Sequence, residues 1–99
     1  MSHRIGSHIV GSAEWETLGS QESNTINIAN YGENRLGFFK MMILNQNQDC
    51  TVNINDQGDI FVPQGRGFVT NERDVVIRTL KITNAGTDTL KYCWAGGYS

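Results

Sequence analysis

Residues able to do chemistry are few in this chain and far apart. His3 and His8 are the only histidines, Cys50 and Cys93 the only cysteines, and ten Asp and Glu are spread over 99 residues. A nucleophilic hydrolase needs a base beside its Ser or Cys. Both histidines fall within the first eight residues, so a Cys-His pair would require that segment to fold back onto the body. Glycosidase-type chemistry needs two carboxylates set across a cleft, whereas Glu14, Glu16, Asp59 and Asp74 read as solvated strand and turn residues. The run Asn53-Ile-Asn-Asp-Gln-Gly58 echoes a calcium loop. However, the early ligand positions Asn53, Asn55 and Gln57 carry no charge, and Gln64 stands where a bidentate Glu is required. A hairpin turn through Asp56, Gln57 and Gly58 accounts for it. Pro63-Gln-Gly-Arg-Gly67 lacks the Lys-Ser/Thr ending of a phosphate loop and reads as a strand connection, with Arg66 as a contact residue. His3 and His8 gathered on the axis of a trimer or hexamer would be one metal arrangement; the plain reading as a polar N-terminal segment outweighs it. The chain is therefore expected to be no enzyme, with no cofactor and no metal.

The composition narrows the classes further. A net charge of -2 with only 8 Lys and Arg supplies no basic face for tracking phosphates, so no nucleic-acid partner is expected. No apolar stretch approaches the roughly 20 residues that span a bilayer, and Met-Ser-His-Arg-Ile-Gly shows no signal-peptide core, so synthesis in the cytoplasm and no membrane insertion are expected. Alternation puts Cys50 with inward Val52 and Ile54 and sets Cys93 opposite the Leu90, Tyr92, Trp94 row. Two free thiols follow. The absence of any Asn-x-Ser/Thr sequon agrees with this.

The elements that must carry these residues are strands. Sustained i, i+3, i+4 spacing is missing, while period-two segments recur around 13–18, 24–30, 36–45, 50–55, 59–62, 67–70, 75–83 and 89–94, separated by Gly, Asn and Asp turn signals. Seven or eight short strands punctuated about every ten residues predict a single all-β domain, an antiparallel β-sandwich of jelly-roll or Greek-key type, over residues 13–99. Residues 1–12 read as an N-terminal arm. In Val75-Val-Ile-Arg-Thr-Leu-Lys-Ile82 the apolar register slips near Arg78 and Thr79. This predicts a β-bulge there, or else a strand start covered on both faces.

The segment 36–44 stands out because it is apolar on both faces. Strict alternation sends Phe39, Met41 and Ile43 to the core and leaves Phe38, Met42 and Leu44 uncovered, with Lys40 interrupting. A domain of this size has little protein left to cover a second row, and another copy of itself is the simplest cover. The expected oligomer interface is Phe38, Met42, Leu44 and Phe61, with Ile5 and Ile9 from the arm. Exposed aromatics beside Asn and Gln also suit sugar stacking, and Tyr31 and Phe61 are the best placed of them. A carbohydrate- or receptor-binding module, with a cell-surface glycan as partner and Tyr31 and Arg66 as ligand contacts, is therefore the alternative reading.

From Cys50 onward the order is a Thr-Val-Asn-Ile-Asn strand, Asp59-Ile-Phe-Val-Pro-Gln-Gly, a long Val76-Ile-Arg-Thr-Leu-Lys-Ile82 strand, and a closing Tyr92-Cys-Trp-Ala-Gly-Gly-Tyr98. This half of the chain resembles small all-β virion proteins of tailed bacteriophages. The resemblance implies a non-enzymatic structural protein in a virion tail, baseplate, fibre or head decoration. It would assemble there as a symmetric ring or trimer beside other virion proteins.

Overall fold

A computed structural model describes residues 8–32, 37–70 and 76–98. The described residues form nine strands, one more than the upper expectation: β1 (His8–Gly11), β2 (Glu16–Leu18), β3 (Ser23–Asn27), β4 (Phe38–Asn45), β5 (Cys50–Ile54), β6 (Asp59–Val62), β7 (Gly67–Val69), β8 (Thr79–Asn84) and β9 (Leu90–Tyr98). A short 3-10 helix, Ile28–Tyr31, follows β3. The strands make two antiparallel sheets. One has the order β1-β9-β4-β7 with β2 also on β9, and the other has the order β3-β8-β5-β6. The expected all-β sandwich is thus what the chain forms. Its interior is filled by Leu18, Ile26, Phe38, Met41, Ile43, Val52, Leu80, Ile82, Leu90, Tyr92 and Trp94, so inward rows from both sheets meet in one apolar core.

Three expectations are corrected. Phe38 is fully buried, not exposed for assembly. The ladder between β4 and β9 jumps from Phe38↔Tyr98 to Lys40↔Gly97, so Phe39 is an extra residue and the parity of every residue before it reverses. The core row is therefore Phe38, Met41 and Ile43, continued by buried Asn45, while Phe39 is only half-buried. Secondly, His8–Gly11 from the expected arm is a strand of this domain, paired with β9 from His8↔Tyr98 to Gly11↔Ala95; residues 1–7 lie outside the described residues. Thirdly, β9 does not end near Trp94 but runs through both glycines to Tyr98. A Cβ on Gly96 would lie 2.7 Å from the Phe38 ring, so the glycine there makes room for the inward Phe38.

The register slip expected near Arg78 is a corner between sheets. Ile77 bridges Phe38 of β4 through a reciprocal pair of backbone bonds of 2.8 and 2.9 Å, whereas Thr79–Asn84 belongs to the other sheet. Two residues separate fully buried Ile77 from fully buried Leu80, because the chain changes layers between them. Val75 lies outside the described residues.

The abundant Asn now has a structural account. Asn55 braces the corner, accepting from Arg78 N at 2.7 Å and Thr79 N at 3.3 Å while donating to Val76 O. Asn45, buried at the end of β4, donates to Val62 O and Pro63 O and accepts from Arg66 N. Asn84 donates to Leu18 O, Gly19 O and Asp88 O and accepts from Gly86 N. Asn27 caps the 3-10 helix by accepting from Ala29 N. A carboxamide offers both donor and acceptor, so one side chain can satisfy loop backbone groups that have no ladder partner. The β5–β6 hairpin turns through Asn55 and Asp56, with φ of 54° and 59°, a left-handed conformation these two residue types tolerate.

Candidate functional site

The outer face of the β1-β9-β4-β7 sheet brings together three of the six residues expected to mediate assembly, Ile9, Met42 and Leu44. Register places Ile9 beside Gly97, and Gly97 beside Lys40. One row over, Gly11, Ala95, Met42 and Val69 lie side by side, and beyond them Cys93, Leu44 and Gly67. The central strand β9 thus contributes only small outward side chains in its last turns of the pleat, and larger apolar side chains stand on either side. Ile9 is 83% exposed, Val69 63%, and Met42 and Leu44 37% each. Between Ile9, Met42 and Val69, over Ala95 and Gly97, runs an open trough of about 480 Å³. Lys40 at its rim carries the charge on a long aliphatic stem, so it can cover apolar surface while keeping its ammonium in water.

Met42 and Leu44 therefore share one surface, as alternation indicated, and Ile9, expected on an arm, joins them from β1. Val69 belongs with them and went unassigned, because a three-residue strand gives too short a pattern to fix its faces. Phe61, 59% exposed, is on the outer face of the other sheet, in the row Thr83, Thr51, Phe61. Phe38 is in the core and Ile5 lies outside the described residues. Tyr31 is half-buried in the 3-10 helix, with its ring 5.7 Å from those of Phe38 and Tyr98, so it closes one end of the core as well as touching solvent. Arg66 is exposed in the turn before β7.

The ionisable groups inside the sandwich are structural. Tyr92 Oη accepts from Asn24 Nδ2 at 2.9 Å and donates to Glu16 Oε1 at 3.2 Å; burial pushes its ionisation up, and the Glu16 charge adds to this. Both thiols are free. Burial raises Cys50 first of all, and it raises Cys93 too. Neither is an activated nucleophile, since activation requires a lowered thiol pKa. Among the described residues, no three His, Cys, Asp or Glu side chains are grouped to hold a metal, and no helix is long and apolar enough to cross a membrane.

No protein-family model and no curated protein sequence matches the chain. Solved structures do resemble it. A de novo designed double-stranded β-helix superposes with a TM-score of 0.59 at 5% identity, over 91% of this chain and 99% of the design. A cupin superfamily protein from Desulfitobacterium hafniense gives 0.55 at 9% identity, over 99% and 84%. A predicted oxalate decarboxylase from Thermotoga maritima gives 0.54 at 13% identity, covering 84% of this chain and 62% of its own. The chain thus spans less than two thirds of that last protein. At such identities the likeness is one of architecture alone, and the fold of this chain is that of double-stranded β-helix and cupin-like β-sandwich proteins.

Proposed function

We propose that this chain is a non-enzymatic structural module that associates with copies of itself through the outer face of the β1-β9-β4-β7 sheet. The observation carrying this reading is the trough walled by Ile9, Met42 and Val69 and floored by Ala95 and Gly97. Small residues on a sheet face let a partner approach the backbone closely, while the flanking side chains supply the apolar area. The four exposed fractions of Ile9, Val69, Met42 and Leu44 together make about two whole side chains. Burying them contributes about 3–6 kcal/mol per subunit, enough to matter when repeated by symmetry. The space between the sheets is taken up by Phe38, Tyr92, Leu80 and their neighbours, which supports a packed support rather than a reaction chamber.

The two strand orders support a jelly-roll reading of the sandwich, since each sheet interleaves early and late strands of the chain. A place in a phage particle, as a ring or trimer of tail, baseplate, fibre or head decoration, is supported by the sequence pattern from Cys50 onward. Val69→Asp and Met42→Asp test the assembly face. Both side chains point to solvent in the subunit, so the variants fold, and the particle mass falls. An unchanged mass in both would exclude this face.

A further inference from the structure

The charges around the apolar trough restrict what can cover it. Besides the trough, the ladders place two exposed lysines on the outer face of the β1-β9-β4-β7 sheet, Lys40 beside Gly97 and Lys91 beside Thr17, and, among the described residues, no carboxylate. Exposed Arg66, in the turn before β7, adds a third cation beside it. An isologous pair would lay this face on itself, so each cation would meet only cations or apolar groups. Like charges set together across an interface weaken it. The face therefore suits an apolar surface that also carries a carboxylate.

The chain presents such a surface on its other sheet. β6 is the last strand of the β3-β8-β5-β6 order, so one of its edges has no strand beyond it among the described residues. Phe61, 59% exposed, stands on its outer face, and Asp59 stands two residues earlier on that same face, about 7 Å away. Between them, Ile60 pairs with fully buried Val52 yet is 39% exposed, so the facing sheet does not cover this edge. An edge strand apolar on both faces is a ready site for contact with another chain. Its spacing matches that of the trough. Lys40 precedes Met42 by two residues on β4, again about 7 Å. A copy that sets its Phe61 ring between Ile9, Met42 and Val69 thus brings its Asp59 within reach of Lys40. The trough, about 480 Å³, falls within the roughly 300–1,000 Å³ of sites that take whole small molecules, so one aromatic ring enters it with room to spare.

We propose that copies of this chain assemble head to tail, with Phe61 of one subunit seated in the trough of the next and Asp59 paired with Lys40. This rests on the self-association proposed above and names the surface that fills its assembly face. Each subunit then uses two different faces, so the contact repeats into a ring if the rotation closes and into a filament if it does not. Mixing two variants tests it. Phe61→Asp spoils the inserted ring and leaves the trough intact, whereas Val69→Asp spoils the trough and leaves the ring. Both positions are exposed in the subunit, and cooperative urea unfolding checks that each variant folds. Light scattering should give one subunit for each variant alone, the dissociation constant rising at least about tenfold with the loss of the buried ring. Their equimolar mixture should give twice 11.0 kDa, since one sound contact survives and none can follow it. Lys40→Glu and Asp59→Lys should each weaken assembly about fivefold, the order of an exposed ion pair, and the double variant should regain the wild-type mass. A wild-type mass for Phe61→Asp would overturn the head-to-tail contact while leaving the assembly face standing. A mixture that stays at one subunit would overturn it too. A wild-type chain of one subunit at high concentration would overturn the assembly reading and this contact with it.

Discussion

The bulge at Phe39 makes a quantitative prediction about two residues that sequence alternation places far apart in role. Phe38 is wholly buried, packing edge-on against Trp94 with ring centroids 6.4 Å apart and against Tyr98 at 5.8 Å. Replacing it by Ala should cost about 3–5 kcal/mol, the range for a core aromatic. A Cβ added at Gly96 would sit 2.7 Å from one Phe38 ring carbon and 3.1 Å from the next, so Gly96→Ala overpacks the core by about 1–3 kcal/mol. Against this, an Ala in a strand gains about 0.5–1 kcal/mol over Gly from lower unfolded-state entropy. With the ring removed, only that gain is left. Gly96→Ala should therefore destabilise the wild type yet be neutral or stabilising in the Phe38→Ala background, giving a coupling of about 1–3 kcal/mol. Urea unfolding at one fixed protein concentration, followed by the fluorescence of buried Trp94, measures all four corners. Equal effects of Gly96→Ala in the two backgrounds would refute the inward placement of Phe38.

Two further outcomes follow from the polar interior. Asn45→Ala removes the side chain that ties the carbonyls of Val62 and Pro63 to the amide of Arg66, although Arg66 N keeps its bond to Pro63 O at 3.1 Å; a loss of about 1–3 kcal/mol in urea unfolding is expected, and no measurable loss would mean the loop is held by other contacts. Burial raises the ionisation of Cys50, Cys93, Tyr31 and Tyr92 in the folded chain, whereas in the unfolded chain thiols ionise near about 8.5 and phenols near about 10. The unfolded chain then releases protons at lower pH than the folded one. Stability is complete below pH of about 8.5 and falls as pH rises above it, which thermal unfolding across an alkaline pH series checks; a flat profile would contradict the burial.

Much of the architecture was legible in the residues. Ile26, Val52, Leu80 and Ile82 alternate with polar neighbours and are core, and Cys50 and Cys93 are apart and free as their parity indicated. Misreadings arose where a strand departs from strict period two. A single inserted residue reversed Phe38, and a change of sheet at Arg78 looked like a bulge. Neither can be read from one strand alone, since both are fixed by the partner strand. The closing glycines read as a tail because Gly ordinarily weakens a strand, yet Gly96 accommodates a ring supplied from 58 residues earlier in the chain. The outward placement of Met42 and Leu44 on one sheet face was legible from alternation, whereas that of Val69 beside them was not.

The account stands most directly on the mass of the protein in solution. Light scattering on the wild-type chain should return two or more times 11.0 kDa, with dissociation on dilution, and Met42→Asp together with Val69→Asp should return a single subunit that unfolds cooperatively. A wild-type mass of one subunit at high protein concentration would contradict the assembly reading and leave the apolar trough without its proposed role.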